Sequence, residues 1–214
     1  MIRPKISSRC KHVVIDIDTQ SRFFPDNGKA GFHDNGSVLA NIRRVIAWTR
    51  LKRIFVVSTI QISSNNSCSC DFREGGNNGI RKIGCTLRNR RTLFDATDCT
   101  DLPLEIFDRY DQLIFCKRCI DPFEEPRIDR MLTELEVDEF ILIGSLAEGA
   151  IKATALGLLA RGKNVRILVD AVRSDNKGVG RKALRQVWAK GAKLIDTRKL
   201  LGFSALRLAT VRPY

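Results

Sequence analysis

The chain has 214 residues, with 37 Lys and Arg against 24 Asp and Glu, a formal charge of +13, two His and seven Cys. Hydrophobic residues make up 43%, enough to bury a core in a single domain spanning 1–214, which excludes disorder, collagen and a disulfide-dense miniprotein. No apolar run approaches the roughly 20 residues of a membrane span. Without a hydrophobic signal core at the start, the odd cysteine count predicts reduced thiols in a cytoplasmic protein.

Short β-rich runs alternate with longer helical ones. Val13–Ile17 reads as a strand, followed by an irregular Ser21–Asn35 that carries Phe23, Phe24 and Phe32. Ser37 is placed to cap a helix in which Val38, Leu39, Ile42, Val45 and Ile46 recur on one face. Ile54–Ser58 is the second strand, and the following Ser63–Asn78 is rich in Ser, Asn, Gly and Cys. Gln112–Cys116 is the third strand, Pro126 opens a helix with Ile128, Met131, Leu132 and Leu135 on its apolar face, and Phe140–Ile143 is the fourth strand. Ile151, Thr154, Ala155, Leu158 and Leu159 line a helix ended by Gly162, before a fifth strand at Val165–Val169. Leu184, Val187 and Trp188 line the last helix, and Lys193–Ile195 is a weaker sixth strand. Near-continuous apolar strands joined by helices predict a three-layer α/β/α, Rossmann-like fold with a doubly wound, mostly parallel sheet of about six strands. Helix faces left apolar on such a sheet predict a homo-oligomer.

In an open parallel sheet, ligands bind beyond the carboxyl ends of the strands. Asp16 and Asp18 close the first strand there, Ser58 and Thr59 the second, Lys117 the third, Gly144 the fourth and Asp170 the fifth. An acid and a lysine sharing one crevice form an ion pair that holds a carboxylate as proton acceptor. The run from Gly144 to Ala155 is a tight strand-to-helix turn, and a helix start offers free N–H groups to an oxyanion. A nucleophile in that first turn would sit beside those donors, but position 150 is Ala. Read by residue chemistry alone, this is a catalytic scaffold without its reactive atom.

These residues resemble the isochorismatase-like cysteine hydrolases, the superfamily of nicotinamidases and N-carbamoylsarcosine amidohydrolase. Its D-x-Q-x-x-F motif is matched by Asp18-Thr19-Gln20-Ser21-Arg22-Phe23, its strand-end lysine by Lys117, and its third signature by Gly144 to Ala155, Arg161-Gly162 and Val169-Asp170-Ala171. The resemblance implies hydrolysis of an amide-type bond of a small molecule. Asp18 would be the proton acceptor, Lys117 its partner, and the N–H groups of Leu146 and Ala150 the oxyanion donors beside a cis Ser145–Leu146 peptide. The nucleophile position falls on Ala150, so the family's covalent route cannot run, which implies either an inactive or divergent member or a Cys→Ala variant. The metal-binding branch carries an Asp and several His after the second strand. Here Thr59-Ile60-Gln61-Ile62-Ser63 holds neither, so no metal and no cofactor are expected. Gln20, Phe23 and Phe24 are candidates for substrate binding, with one phenylalanine expected in the core.

Three alternatives compete. Asp16 and Asp18 with Ser58 or Thr59, Lys117, Asp170 and Asp175 imitate a haloacid-dehalogenase-like phosphatase, although Gln20 departs from its first motif. Basic clusters at Arg43–Arg53, Arg81–Arg91 and Lys177–Lys193 keep nucleic acid open as a partner, and Arg81–Arg91 is placed to admit an anionic ligand. Cys116 and Cys119 have zinc-site spacing, with Cys68 and Cys70 as a second pair, but Cys116 ends a buried strand and reads as core. Cys119 is a candidate displaced nucleophile. Trp48 and Trp188 read as helix packing, and no membrane association is expected.

Overall fold

The computed structural model describes residues 11–24, 35–62, 81–103 and 105–207, with the backbone alone at 35 and 203–207. The Ser63–Asn78 stretch and most of Ser21–Asn35 therefore lie outside the described residues, as do Cys68 and Cys70. The strands are β1 (His12–Ile17), β2 (Phe55–Gln61), β3 (Arg91–Phe94), β4 (Gln112–Lys117), β5 (Glu139–Ser145), β6 (Val165–Arg173) and β7 (Lys193–Ile195). They form one sheet in the order β3-β4-β2-β1-β5-β6-β7, every pairing parallel. The expected three-layer parallel fold is present, with seven strands in the sheet rather than about six. The additional β3 is a four-residue edge strand whose residues are all half-buried, too short for its pattern to stand out in the sequence.

Helices cover both faces. α1 (Asn35–Lys52) turns Val38, Ile42, Val45 and Ile46 onto one face of the sheet, against Val14, Val56, Ile141 and Ile143. It begins two residues before Ser37, so that serine lies inside the first turn instead of at the cap. Ile106–Arg109 is a single-turn α2. On the opposite face lie α3 (Pro126–Glu134), α4 (Lys152–Ala160) and α5 (Lys177–Ala189), whose Ile128, Met131, Leu132, Ala155, Leu158 and Val187 join the larger core. Each of these Ile, Leu, Met and Val side chains gains roughly 1.5–3 kcal/mol on burial. Pro126 starts α3, and the Asn176 side chain caps α5 by accepting the N–H groups of Gly178 and Val179. α6 (Thr197–Arg207) closes the described chain.

The crevice is positioned by the strand order and by one glycine. The chain runs from β1 outward through β2 to the edge strand β3, steps back to β4, and then crosses to β5 on the other side of β1, so the order reverses between β1 and β5. Gly144 lies opposite Ile17 at this switch point with φ +117, and a Cβ there would collide with the Ile17 backbone. β6 extends to Arg173, four residues beyond the expected end, so Asp170 and Ala171 lie within the strand. No helix of the described residues is long and apolar enough to cross a membrane.

Candidate active site

Asp18 leaves the end of β1 with φ +46 and a nearly fully buried side chain. Its carboxylate lies 2.7 Å from Lys117 Nζ through Oδ2 and accepts Thr59 Oγ1–H at 2.6 Å through Oδ1. The Asp18 N–H in turn donates to Thr59 Oγ1 at 3.1 Å. Lys117, on the last residue of β4, also donates to the carbonyls of Cys119 (3.0 Å) and Ile120 (3.3 Å). Its three ammonium donors thus have three acceptors, which fixes the cation and holds the carboxylate in one orientation. Three adjacent parallel strands supply these three side chains, and their register puts all three at the carboxyl edge.

The turn after β5 stands beside them. The Ser145–Leu146 peptide is cis, and Ser145 Oγ donates to the Asp18 carbonyl at 3.0 Å. Ala147–Ile151 forms a widened helical turn in which Gly149 departs from helical angles, and the Gly149 and Ile151 N–H groups return to the Leu146 carbonyl at 3.1 Å each. Ala150 lies on this turn with 4% exposure, its methyl counted among the larger core. Glu148, from the same turn, accepts Ser174 Oγ–H at 2.7 Å and the Asp175 N–H at 2.9 Å, tying the turn to the β6–α5 connection.

The residues proposed to touch substrate divide. Gln20 is fully buried, with its amide exchanging two hydrogen bonds with the Gln61 main chain, at 2.9 and 3.2 Å, which anchors the end of β2 to the turn after β1. Phe24 is the core phenylalanine, packed with α1 residues, whereas Phe23 is half-buried under the Arg22 guanidinium at 4.5 Å. Burial lowers the Arg22 pKa, opposed by the Asp18 charge, and its Nη2 donates to the Gln61 carbonyl at 2.9 Å.

A second buried pair lies beneath the first and was not read from the sequence. Lys82 Nζ is 2.7 Å from Asp16 Oδ2, with both side chains 0% exposed. Asp16 also accepts the Thr19 and Ser58 hydroxyls. Lys82 pairs with Gln20 as an isolated antiparallel bridge, while Ser21 N–H and Ile83 N–H reach the Arg81 and Thr19 carbonyls. Composition gave no signal for it, because Lys82 stands in a basic run read as open to ligand. That reading needs correction: Arg88 is buried, donating to Thr49 Oγ1 at 2.8 Å, while Arg90 and Arg91 donate to carbonyls of Asp108, Arg109 and Arg88. Arg90 and Arg91 thus satisfy backbone oxygens, and Arg88 a side-chain hydroxyl.

The phosphatase arrangement is not assembled. Asp16 is paired with Lys82, Asp170 accepts the N–H and hydroxyl of Thr197 at the start of α6, and Asp175 pairs with Arg173 at 2.7 Å. Among the described residues no group of three or more His, Cys, Asp or Glu gathers as a metal site. Cys116 is disulfide-bonded, so the expectation of reduced thiols does not hold for it, whereas Cys85, Cys99 and Cys119 are free. A hydrogen bond with Glu124, followed by burial, raises the Cys119 thiol pKa, the wrong direction for a displaced nucleophile.

The isochorismatase domain family matches residues 12–199. A comparison with curated proteins gives no match. Among solved structures, the MAR1 ribonuclease from Caenorhabditis elegans is similar over 98% of this chain and 95% of its own, at 19% identity and TM-score 0.65. An isochorismatase-like hydrolase from Alkaliphilus metalliredigens is similar over 90% and 98%, at 17% identity and TM-score 0.66. N-carbamoylsarcosine amidase from Thermoplasma acidophilum is similar over 90% and 99%, at 17% identity and TM-score 0.65.

Proposed function

The chain belongs to the isochorismatase domain family, and from that premise we propose that it is a divergent member of this hydrolase family. Its crevice takes a small molecule and exchanges a proton with it through Asp18, without a covalent step at position 150. One observation carries the reading: the Asp18–Lys117–Thr59 cluster is complete at 2.7 and 2.6 Å while the neighbouring turn presents a methyl group at Ala150. Amide hydrolysis by acyl transfer needs a thiolate to attack the carbonyl carbon and later leave. A methyl group does neither, so turnover of unactivated amides is absent in this chain. What remains is a desolvated carboxylate held by an ammonium and a hydroxyl, which suits proton transfer to or from a bound ligand.

The test is Ala150→Cys, with parent and variant compared for alkylation by iodoacetamide, resolved by peptide mass, and for turnover of a panel of amides and esters. The expected result is fast labelling at position 150 and new turnover that Asp18→Asn removes. If the variant gains neither labelling nor turnover, the turn is not a catalytic scaffold and the proposal falls.

A second reading is favoured by the net charge of +13 and by the ribonuclease among the similar structures. Cleavage of RNA needs no nucleophile from the protein, because the ribose 2′-hydroxyl supplies it. Asp18 would take the 2′-hydroxyl proton as O2′ bonds to phosphorus and the P–O5′ bond breaks. The departing O5′ takes a proton from water, leaving a 2′,3′-cyclic phosphate and a 5′-hydroxyl. An RNA 12-mer cut to those ends, with the 2′-deoxy 12-mer intact and Asp18→Asn inactive, supports it; an intact RNA rejects it.

A further inference from the structure

Helical spacing predicts that Trp188 packs on the sheet, but it stands 64% exposed at the end of α5. Around it, residues 176–195 contain no Asp or Glu and six cations: Lys177, Arg181, Lys182, Arg185, Lys190 and Lys193. The indole borders a groove of about 570 Å³ that also takes Lys193, Leu194 and Ile195 of β7, Arg166 of β6 and Lys199 of α6. β7 is the last strand of the sheet, so the groove runs along a sheet edge. Lys193 and Arg166 stand at the start of their strands, near Glu139 and the beginning of β1, the rim opposite Asp18 and Lys117.

The charged residues that line the groove are all cations. Arg166 is neutralised by Glu139 at 2.8 Å, and Lys193 lies 3.6 Å from the same carboxylate. Asp196 is engaged in accepting the Lys199 N–H at 2.7 Å. Lys190, Lys193 and Lys199 remain exposed around the indole. An exposed tryptophan face among lysines is the combination that holds single strands: the ring stacks on a base and the ammonium groups follow the phosphates. A duplex hides its base faces and offers the ring nothing to stack on. A second copy docked face to face would set these lysines against themselves, which costs energy.

We infer that the α5–β7 edge is a docking groove for single-stranded nucleic acid, with Trp188 as the stacking platform and Lys190, Lys193 and Lys199 as phosphate contacts. The inference does not rest on the reading of the crevice, because it concerns the opposite rim and requires no reaction.

The test is fluorescence anisotropy of a fluorescein-labelled dT 12-mer, which lacks the 2′-hydroxyl and so reports binding without cleavage, with quenching of tryptophan emission as a second readout. Three phosphate contacts give a slope of log K against log salt of about −2. Trp188→Ala weakens binding about 5- to 150-fold, the equivalent of one stacked base, while Trp188→Phe retains most of it. Lys193→Gln with Lys199→Gln flattens the salt slope by about 1.4. Circular dichroism of each variant separates loss of binding from loss of fold. Three results overturn the inference: no binding at 50 mM salt, binding unchanged in folded Trp188→Ala, or a self-association or capture by phosphatidylserine vesicles that needs Trp188 while the oligonucleotide is ignored.

Discussion

Replacing Lys82 by Met tests the buried pair beneath the crevice most directly. Asp16 and Lys82 lie 2.7 Å apart with no exposure, where an effective dielectric of about 20 gives an attraction on the order of 6 kcal/mol. Without the ammonium, Asp16 retains two hydroxyl donors, Thr19 and Ser58, and remains as a buried charge. Removing one member of such a pair typically costs roughly 3–5 kcal/mol. Urea unfolding followed by circular dichroism should show Lys82→Met about 4 kcal/mol less stable than the parent at pH 7. Asp16→Asn with Lys82→Met removes both charges and should recover most of the loss. A single variant within about 1 kcal/mol of the parent at pH 7 would refute the reasoning, since the pair would then be solvated in solution.

Gly144→Ala should cost more than about 3 kcal/mol, read as a lower urea midpoint or as insoluble protein, because the new Cβ meets the Ile17 backbone at φ +117. Glu148→Gln weakens charge-assisted bonds to Ser174 and Asp175, and about 2 kcal/mol of stability should go with them; hydrogen exchange should rise first in residues 174–176. Cys119, whose thiol pKa is raised by Glu124, should alkylate more slowly at pH 7.5 than Cys85 or Cys99, and Glu124→Ala should speed it, as peptide mass kinetics would show.

The central sheet was legible because its strands are buried on both faces, and burial on both faces writes itself as near-continuous apolar runs such as Val13–Ile17, broken only by Asp16, and Phe140–Ile143. Edges were harder. β3 has only half-buried residues, and the end of β6 passes through Asp170 and Arg173, whose polar side chains made the strand look finished early. Asp170 stays in the strand because Asn41 and Thr197, from two helices distant in sequence, supply its hydrogen bonds. Such partners are assembled only by the fold.

The same reason divides the site. Asp18 and Lys117 stand at strand ends, where parallel topology alone brings side chains of neighbouring strands to one edge, so their pairing followed from position. Lys82 occupies no regular strand or helix and reaches Asp16 because its segment crosses the turn after β1. In the sequence it is one of several adjacent cations, and only the acid waiting beneath separates it from Arg81. Trp188 erred in the opposite direction. Its spacing from Leu184 and Val187 fits an apolar helical face, yet Val187 is fully buried while Trp188, a further 100° around the helix, faces outward. A one-residue error in phase therefore hides a surface aromatic among core residues. The distinction matters for the +13 charge. Arg88 spends its cation inside the fold, whereas Lys190 and Lys199 stand exposed beside Trp188, so part of the surplus faces solvent at this edge.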